Sequence, residues 1–305
     1  MTTRWQSWAP IFNWEHLPEV PKEGIDFANG VRLEVLPEWV RSEEAIRHLH
    51  ASHHTEIHRV VYGFRLDYEA ASLSEPDPDY KGEEPRSKQE RAVELFNLAN
   101  LALWIVTPNP ISVPAYFHFN RPDDPKSMIS SGSGLGFLHH ERDKDNKLSI
   151  DDVALATKLH SVLFNLDRNK TTWIAARLVW KSLWERLWEI RVLIQWVAIE
   201  AIFGPQDGRE ITYRLAQRIG FFLGRDRKEA QKINDKAKKN YGWRSRIVHG
   251  SQLNKLTKQK SINISHESQE YIRRALLKIL QSSNLIDLVN GKNRENYFDK
   301  LVFED

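Results

Sequence analysis

Arg244 and His249 are the two side chains of this chain whose types and spacing point most directly to chemistry. They stand five positions apart inside Tyr241-Gly242-Trp243-Arg244-Ser245-Arg246-Ile247-Val248-His249-Gly250. Arginine carries a permanent planar cation that suits a phosphate, and histidine is the side-chain type that exchanges a proton near neutral pH. On a phosphodiester the pair would supply a charge clamp and a general acid or base. On an ideal helix the two project about 140° apart with a rise of roughly 7.5 Å. One copy of the pair therefore need not complete a site, and a second copy can. Arg246, three residues before His249, can bind a phosphate or orient the histidine. Gly250 reads as a glycine in the left-handed conformation just past a helix end, which puts His249 in the last turn and in reach of solvent.

The charge around this stretch is one-sided. Residues 168–305 hold 27 Lys and Arg against 15 Asp and Glu, a net +12, while residues 1–167 hold 17 against 26, a net −9. Between Arg225 and Lys260 the count is 12 basic to 3 acidic. A basic run is commonly a solvated helical face, but this one surrounds the Arg–His pair, which suits a polyanion partner such as RNA. Lys238, Lys239, Ser245 and Arg246 are the supporting contacts on the same stretch. Arg214 and Arg218 join them from the preceding helix, where Glu210, Arg214 and Arg218 recur at i, i+4, i+8 as a surface ladder and Glu210 is a possible acidic partner.

Other chemistries find less support. The chain has no cysteine, which excludes a disulfide scaffold, a cysteine-based zinc site and a thiol nucleophile, and fits a reducing cytosol. Met1-Thr2-Thr3-Arg4-Trp5 leads into no apolar signal core, and no run of about 18 apolar residues marks a membrane span. The expected location is the cytoplasm. His50, His54 and His58 would share one helical face, but the glutamate of the HExxH zinc signature is absent and a strand near His58 would break that face. Gly132-Ser133-Gly134-Leu135-Gly136 lacks the rest of a phosphate loop. Asp143-Lys144-Asp145-Asn146 opens like a calcium loop but has Leu148 where glycine and Ala154 where glutamate are needed. No metal or cofactor is expected.

The elements that must position these residues read as an α+β chain with two parts: residues 1–150, mixed α/β, and residues 151–305, mainly helical. In the first part the Trp- and Pro-rich residues 1–40 disfavour long helices, and Val31–Leu36 and Ile57–Tyr68 read as strands. Ser42 reads as a helix cap. Glu69–Pro85 reads as a loop, Ser87 caps a strongly apolar helix to Val106, and Ser112–Asn120 reads as a strand. In the second part Ser149 caps a helix helped by Asp151 and Asp152. A longer helix runs from Thr171 or Thr172 to Phe203 with a stripe of Trp173, Trp180, Trp184 and Trp188. Glu210–Leu223 and Arg227–His249 follow. A polar loop over 251–264 leads to a last helix from Ser265 to about Leu288, giving four helices after residue 170.

Residues from about 172 to 285 resemble the HEPN superfamily, more closely its Apea-like branch. The resemblance is carried by Trp196-Val197-Ala198-Ile199-Glu200-Ala201-Ile202-Phe203-Gly204, by Glu210 with Tyr213-Arg214-Leu215-Ala216-Gln217-Arg218, and by the stretch ending Arg244-Ser245-Arg246-Ile247-Val248-His249-Gly250. The hallmark of the family is Arg, four to six residues, then His. The resemblance implies a HEPN-type helical bundle and a metal-independent endoribonuclease working as a homodimer, used as a toxin or in antiphage defence. It implies Arg244 on the scissile phosphate, His249 as general acid or base, and RNA, with tRNA as one form, as the partner. Ser245 follows the arginine where catalytic members often carry Asn, Asp or His. The alternative reading is a non-catalytic RNA-binding or regulatory HEPN module.

Overall fold

The computed structural model describes residues 2–47, 56–78, 87–133, 143–250 and 256–303. The fold is α+β, with the chain dividing into two compact units, Met1–Asn165 and Leu166–Asp305. The division falls after the helix Ile150–Asn165 rather than before it, so that helix belongs to the first unit. Among the described residues, no helix is long and apolar enough to cross a membrane.

The first unit is built on a six-stranded antiparallel sheet in the order β2-β3-β4-β1-β5-β6. The strands are β1 Thr3–Pro10, β2 Ile25–Asp26, β3 Val31–Val35, β4 Tyr62–Ala70, β5 Ala115–Phe119 and β6 Met128–Ser133. The aromatic N-terminus thus forms a central strand, β1, although its Trp and Pro content predicts no regular element. Its alternation explains this: Trp8 faces the cluster of Phe12, Leu36, Val40, Phe117 and Phe119, and Ser7 pairs in register with His118 on the opposite face. Both faces of the strand are buried, so the run carries little of the polar alternation that marks a half-exposed strand.

Ser42 caps a short helix α1, Glu43–Ile46. Helix α2, Lys88–Val106, begins with a reciprocal Ser87–Glu90 capping box. It lies against the sheet through the Phe64–Phe96 stack and a Tyr116 hydroxyl that donates to Asn97 at 2.7 Å. Helix α3, Ile150–Asn165, is capped by Ser149 and Asp152 and packs on α2. Its His160 reaches the Leu95 carbonyl at 3.2 Å. The strand expected over Ile57–Tyr68 starts only at Tyr62, because residues 58 and 59 turn first. Of the histidines considered for a metal, His50 and His54 lie outside the described residues and His58 sits in that turn. The glycine-rich stretch begins inside β6, and Gly134–Gly136 lie outside the described residues.

The second unit is helical: α4 Thr171–Trp184, α5 Trp188–Phe203, α6 Ile211–Leu223, α7 Arg227–Val248, α8 Lys258–Leu280, α9 Ser283–Asn290 and α10 Arg294–Phe303. Three expectations need correction. The single helix to Phe203 is two helices, because the chain extends over Glu185–Leu187; Arg191 ties that break together by donating to the Glu185 carbonyl at 2.9 and 2.7 Å. The tryptophan stripe is therefore divided, with Trp180 and Trp184 edge to face on α4 and Trp188 starting α5. The last helix begins at Lys258, capped by Thr257 inside the stretch read as a loop, and the chain continues through α9 and α10.

The pairing of α6 with α7 sets the position of the site. A β-carbon on Gly220 would come within 2.6 Å of the Ala230 carbonyl oxygen, and one on Gly224 within 2.7 Å of the Ala230 nitrogen. Only glycine allows the two helices to meet so closely. Asp226 then caps α7 by accepting from the Glu229 backbone at 2.8 Å.

Candidate functional site

Helix α7 is highly polar yet well placed, because its few buried residues form one stripe. Ala230, Ile233, Asn234, Ala237, Asn240, Tyr241 and Ile247 are buried at three- and four-residue steps. The most specific anchor is Asn240, which is 2 % exposed. It accepts a 3.0 Å hydrogen bond from the Trp196 indole and donates to the Ile264 carbonyl at 3.0 Å and to Glu267 at 3.2 Å. One amide thus ties α5, α7 and α8 together. Trp196 also meets Tyr241 edge to face, with centroids 5.1 Å apart.

Arg244 continues the buried stripe one turn further and is half-buried. Its partner is Glu200 on α5. Nε lies 3.2 Å from Oε1, and Nη2 donates to Oε2 at 3.4 Å. The closer approach is off the hydrogen-bond line, so charge rather than a tight fork holds the pair. Burial, and next the Glu200 carboxylate, hold the Tyr241 phenol above its ordinary range. Glu200, Tyr241 and Arg244 are therefore one electrostatic group. Nothing in the sequence marks Glu200 as the acid facing Arg244, since the same helix also carries the polar residues Glu189, Arg191 and Gln195.

His249 closes the helix. Its backbone has left helical geometry at φ −88°, ψ 3°, and its nitrogen bonds the Ser245 carbonyl at 3.1 Å. Gly250 follows at φ +63°, the left-handed conformation its lack of a β-carbon permits. The histidine side chain is exposed. Ser245 serves through its carbonyl, and Arg246 lies over the Trp243 ring at 4.3 Å, joined there by Lys260 at 4.7 Å. Lys239 is exposed, and Lys238 lies 4.5 Å over the exposed Tyr213 ring.

The remaining expected residues form a different cluster. Arg218 is not on a surface ladder; it is 1 % exposed. It donates to the Phe203 carbonyl at 3.1 Å, to Glu295 at 3.2 and 2.8 Å and to Asp299 at 2.9 Å, which locks α10 onto the bundle. Arg214 pairs with Asp207 at 2.7 Å and with Glu295 at 3.4 Å. Glu210 takes the cap position before α6 with a left-handed φ of 47°, and its carbonyl accepts from Tyr213 and Arg214. These residues line a cavity of about 300 Å³ in which the arginines are already met by carboxylates. A phosphate would find no spare charge there.

In the first unit, Ser7 Oγ and His118 Nδ1 lie 2.6 Å apart, a spacing that a nucleophile and its base could share. Both residues are buried, at 0 and 1 % exposure, and burial pushes His118 down to about 4, so the pair is a core hydrogen bond out of reach of any substrate. With this geometry in hand, the comparisons are silent: no protein-family model, no curated protein and no solved structure matches the chain.

Proposed function

We propose that the second unit is a metal-independent endoribonuclease of HEPN type that works as a homodimer in the cytoplasm, as a toxin or antiphage effector. The observation that carries this reading is the end of α7. A half-buried arginine is held by a neighbouring acid, and an exposed histidine sits five residues later at the helix terminus. The residue types suit transesterification. The ribose 2′-oxygen attacks the adjacent phosphorus while His249 accepts its proton or delivers one to the leaving 5′-oxygen. Arg244 carries the charge that builds on the phosphoryl oxygens. The products are a 2′,3′-cyclic phosphate and a 5′-hydroxyl, with no oxidant or metal required by the balance.

A second copy is part of the proposal. Arg244 turns toward α5 while His249 ends the helix on another side, so two motifs facing each other across a two-fold axis supply what one lacks. Exposed apolar residues support a contact there: Ile190 and Val197 on α5, 41 and 46 % exposed, and Val248 on α7, 53 % exposed. The test is cleavage of total RNA and of tRNA in EDTA. Wild type should cut and leave cyclic phosphate ends, and His249→Ala should retain fold and RNA affinity without cutting. Equal inertness of the two proteins would refute the enzyme; salt-sensitive binding without turnover would leave the RNA-binding module.

A further inference from the structure

We propose that the outward face of α7 around Gly242 and Trp243 is a subsite for one unpaired nucleotide of the RNA, its base on Trp243 and its backbone passing over Gly242. The proposal rests on the ribonuclease reading above and names what that site holds beside the scissile phosphate.

The first observation is charge without a counter-charge. Seven arginines of the second unit are neutralised: Arg214, Arg218, Arg225, Arg244, Arg273, Arg274 and Arg294 all face carboxylates. Among the described residues neither Arg246 nor Lys260 makes an ion pair, yet both rest on one indole, at 4.3 and 4.7 Å from its centre. Two like charges held no more than about 9 Å apart on one ring repel, and an anion between them removes that cost. A ligand that offers an anion and a flat aromatic group together is a nucleotide. The base can take the face of Trp243 in place of one cation, and the displaced cation keeps contact with the phosphate.

The second observation is independent of charge. Gly242 lies in the interior of α7, where glycine weakens a helix relative to alanine. Gly220 and Gly224 have an internal reason, since a β-carbon at either would strike Ala230. Gly242 has none: a β-carbon there meets nothing within 4 Å. The gap opens on the side of the helix that carries Lys239 and Arg246, opposite the buried stripe, with His249 and Trp243 on its two flanks. A helix that gives up a side chain in the middle of its basic face lets an external chain approach closely. The like charge of that face favours a polyanion over a second copy of the protein. The nucleotide must be unpaired, because in a duplex both faces of a base are already covered by its neighbours.

The experiment uses the full chain carrying His249→Ala, so that RNA survives, and a labelled single-stranded RNA of about 15 nucleotides without self-complementarity, alongside the same sequence as a duplex. Fluorescence anisotropy should show tighter binding of the single strand. Adding Trp243→Ala should weaken it by about 5- to 150-fold, and Trp243→Phe should restore most of the loss. Arg246→Ala should lower the slope of log affinity against log salt by about 0.7. Gly242→Ala should raise the melting temperature and still weaken RNA binding, a combination that a purely structural glycine does not give. Unchanged affinity in Trp243→Ala, or an equal loss on the duplex, overturns the subsite while leaving cleavage by wild type intact. A Gly242→Ala protein that binds RNA normally but dissociates into monomers assigns the gap to a contact between copies and overturns it too. If the parent binds no RNA and wild type cuts none, the ribonuclease reading itself has failed.

Discussion

Replacing Glu200 with Gln separates what this side chain does for the fold from what it does for Arg244. The amide keeps the shape and removes the charge. At 3.2 Å and an effective dielectric near 20, the gross attraction of the pair is about 5 kcal/mol. Most of that is offset by desolvation of the two groups, and the side chains of Arg244 and Glu200 are still 28 and 21 % exposed, so the net loss on breaking the pair should be about 1–2 kcal/mol. For a unit of this size that is a fall in Tm of roughly 3–8 °C. On the proposed reading the functional loss is larger than the structural one. The guanidinium is no longer aimed, so kcat should fall by about 10- to 100-fold, the range of one misplaced electrostatic contact. RNA affinity should hold or tighten, since a negative charge near the phosphate has gone. Melting curves, single-turnover cleavage and anisotropy on the same preparation decide the matter. If Glu200→Gln leaves both Tm and kcat unchanged, or if kcat and RNA affinity fall in proportion, Glu200 does not position Arg244.

Three further outcomes test the rest of the structure. Arg218→Met should cost about 3 kcal/mol in urea melts, because it strands Glu295 and Asp299 beside an apolar chain, and it should leave RNA affinity per folded molecule unchanged. His118 and His160 are both pushed down to about 4 by burial, so the unfolded chain takes up protons that the folded one refuses as pH falls below 6.5. Stability should be flat above pH 6.5 and fall between 6.5 and 4, by about 2 kcal/mol for each histidine at pH 5, and His160→Gln should halve the fall measured by thermal melts at pH 7.5 and 5. On the proposed reading Val197→Glu, at an exposed position, should leave Tm intact but convert the proposed homodimer to a 35.7 kDa monomer in light scattering at low micromolar concentration and abolish cleavage; a wild type that is monomeric with and without RNA refutes the composite site.

Much of the architecture was legible where side chains act locally. Ser42, Ser87 and Ser149 announce helix starts because a hydroxyl satisfies a backbone amide three residues on, and Gly250 announces an end because it alone accepts the left-handed turn easily. What was not legible depends on partners distant in sequence. Trp5 and Trp8 in a Pro-rich segment gave no period, since β1 is buried on both faces and the strands that pair with it, β4 and β5, lie 50 to 110 residues away. The i, i+4, i+8 spacing of Glu210, Arg214 and Arg218 suggested an exposed ladder, but Arg218 is taken by Glu295 and Asp299 at the far end of the chain, and Arg214 by Asp207 and by the same Glu295. The break at Glu185–Leu187 carries no proline or glycine and is held by Arg191 folding back on it. At the candidate site, Arg244, Arg246 and His249 were readable from type and spacing. The acid facing Arg244 and the cations sharing Trp243 required the packing of α5 and α8 against α7.

The two sides of α7 explain why the motif takes this form. On the inward side, burial fixes direction: Asn240 and Tyr241 are locked by Trp196, and one turn later Arg244 inherits that rigidity and is aimed by Glu200. On the outward side Lys239, Arg246 and Lys260 make no ion pair among the described residues and remain available to a ligand. A site placed wholly inward would have its arginine held and its histidine desolvated, as His118 and His160 are. A site placed wholly outward would have neither group oriented. Placing the arginine on the buried stripe and the histidine at the exposed helix end satisfies both needs, but it separates them around the helix axis. The cost of that solution is that one chain offers two half-sites pointing apart. On the proposed reading a second chain resolves this, and RNA bound between the copies supplies the negative charge that two facing basic helices otherwise lack. Dimerisation and RNA binding should therefore strengthen each other, and the coupling should weaken as salt screens both.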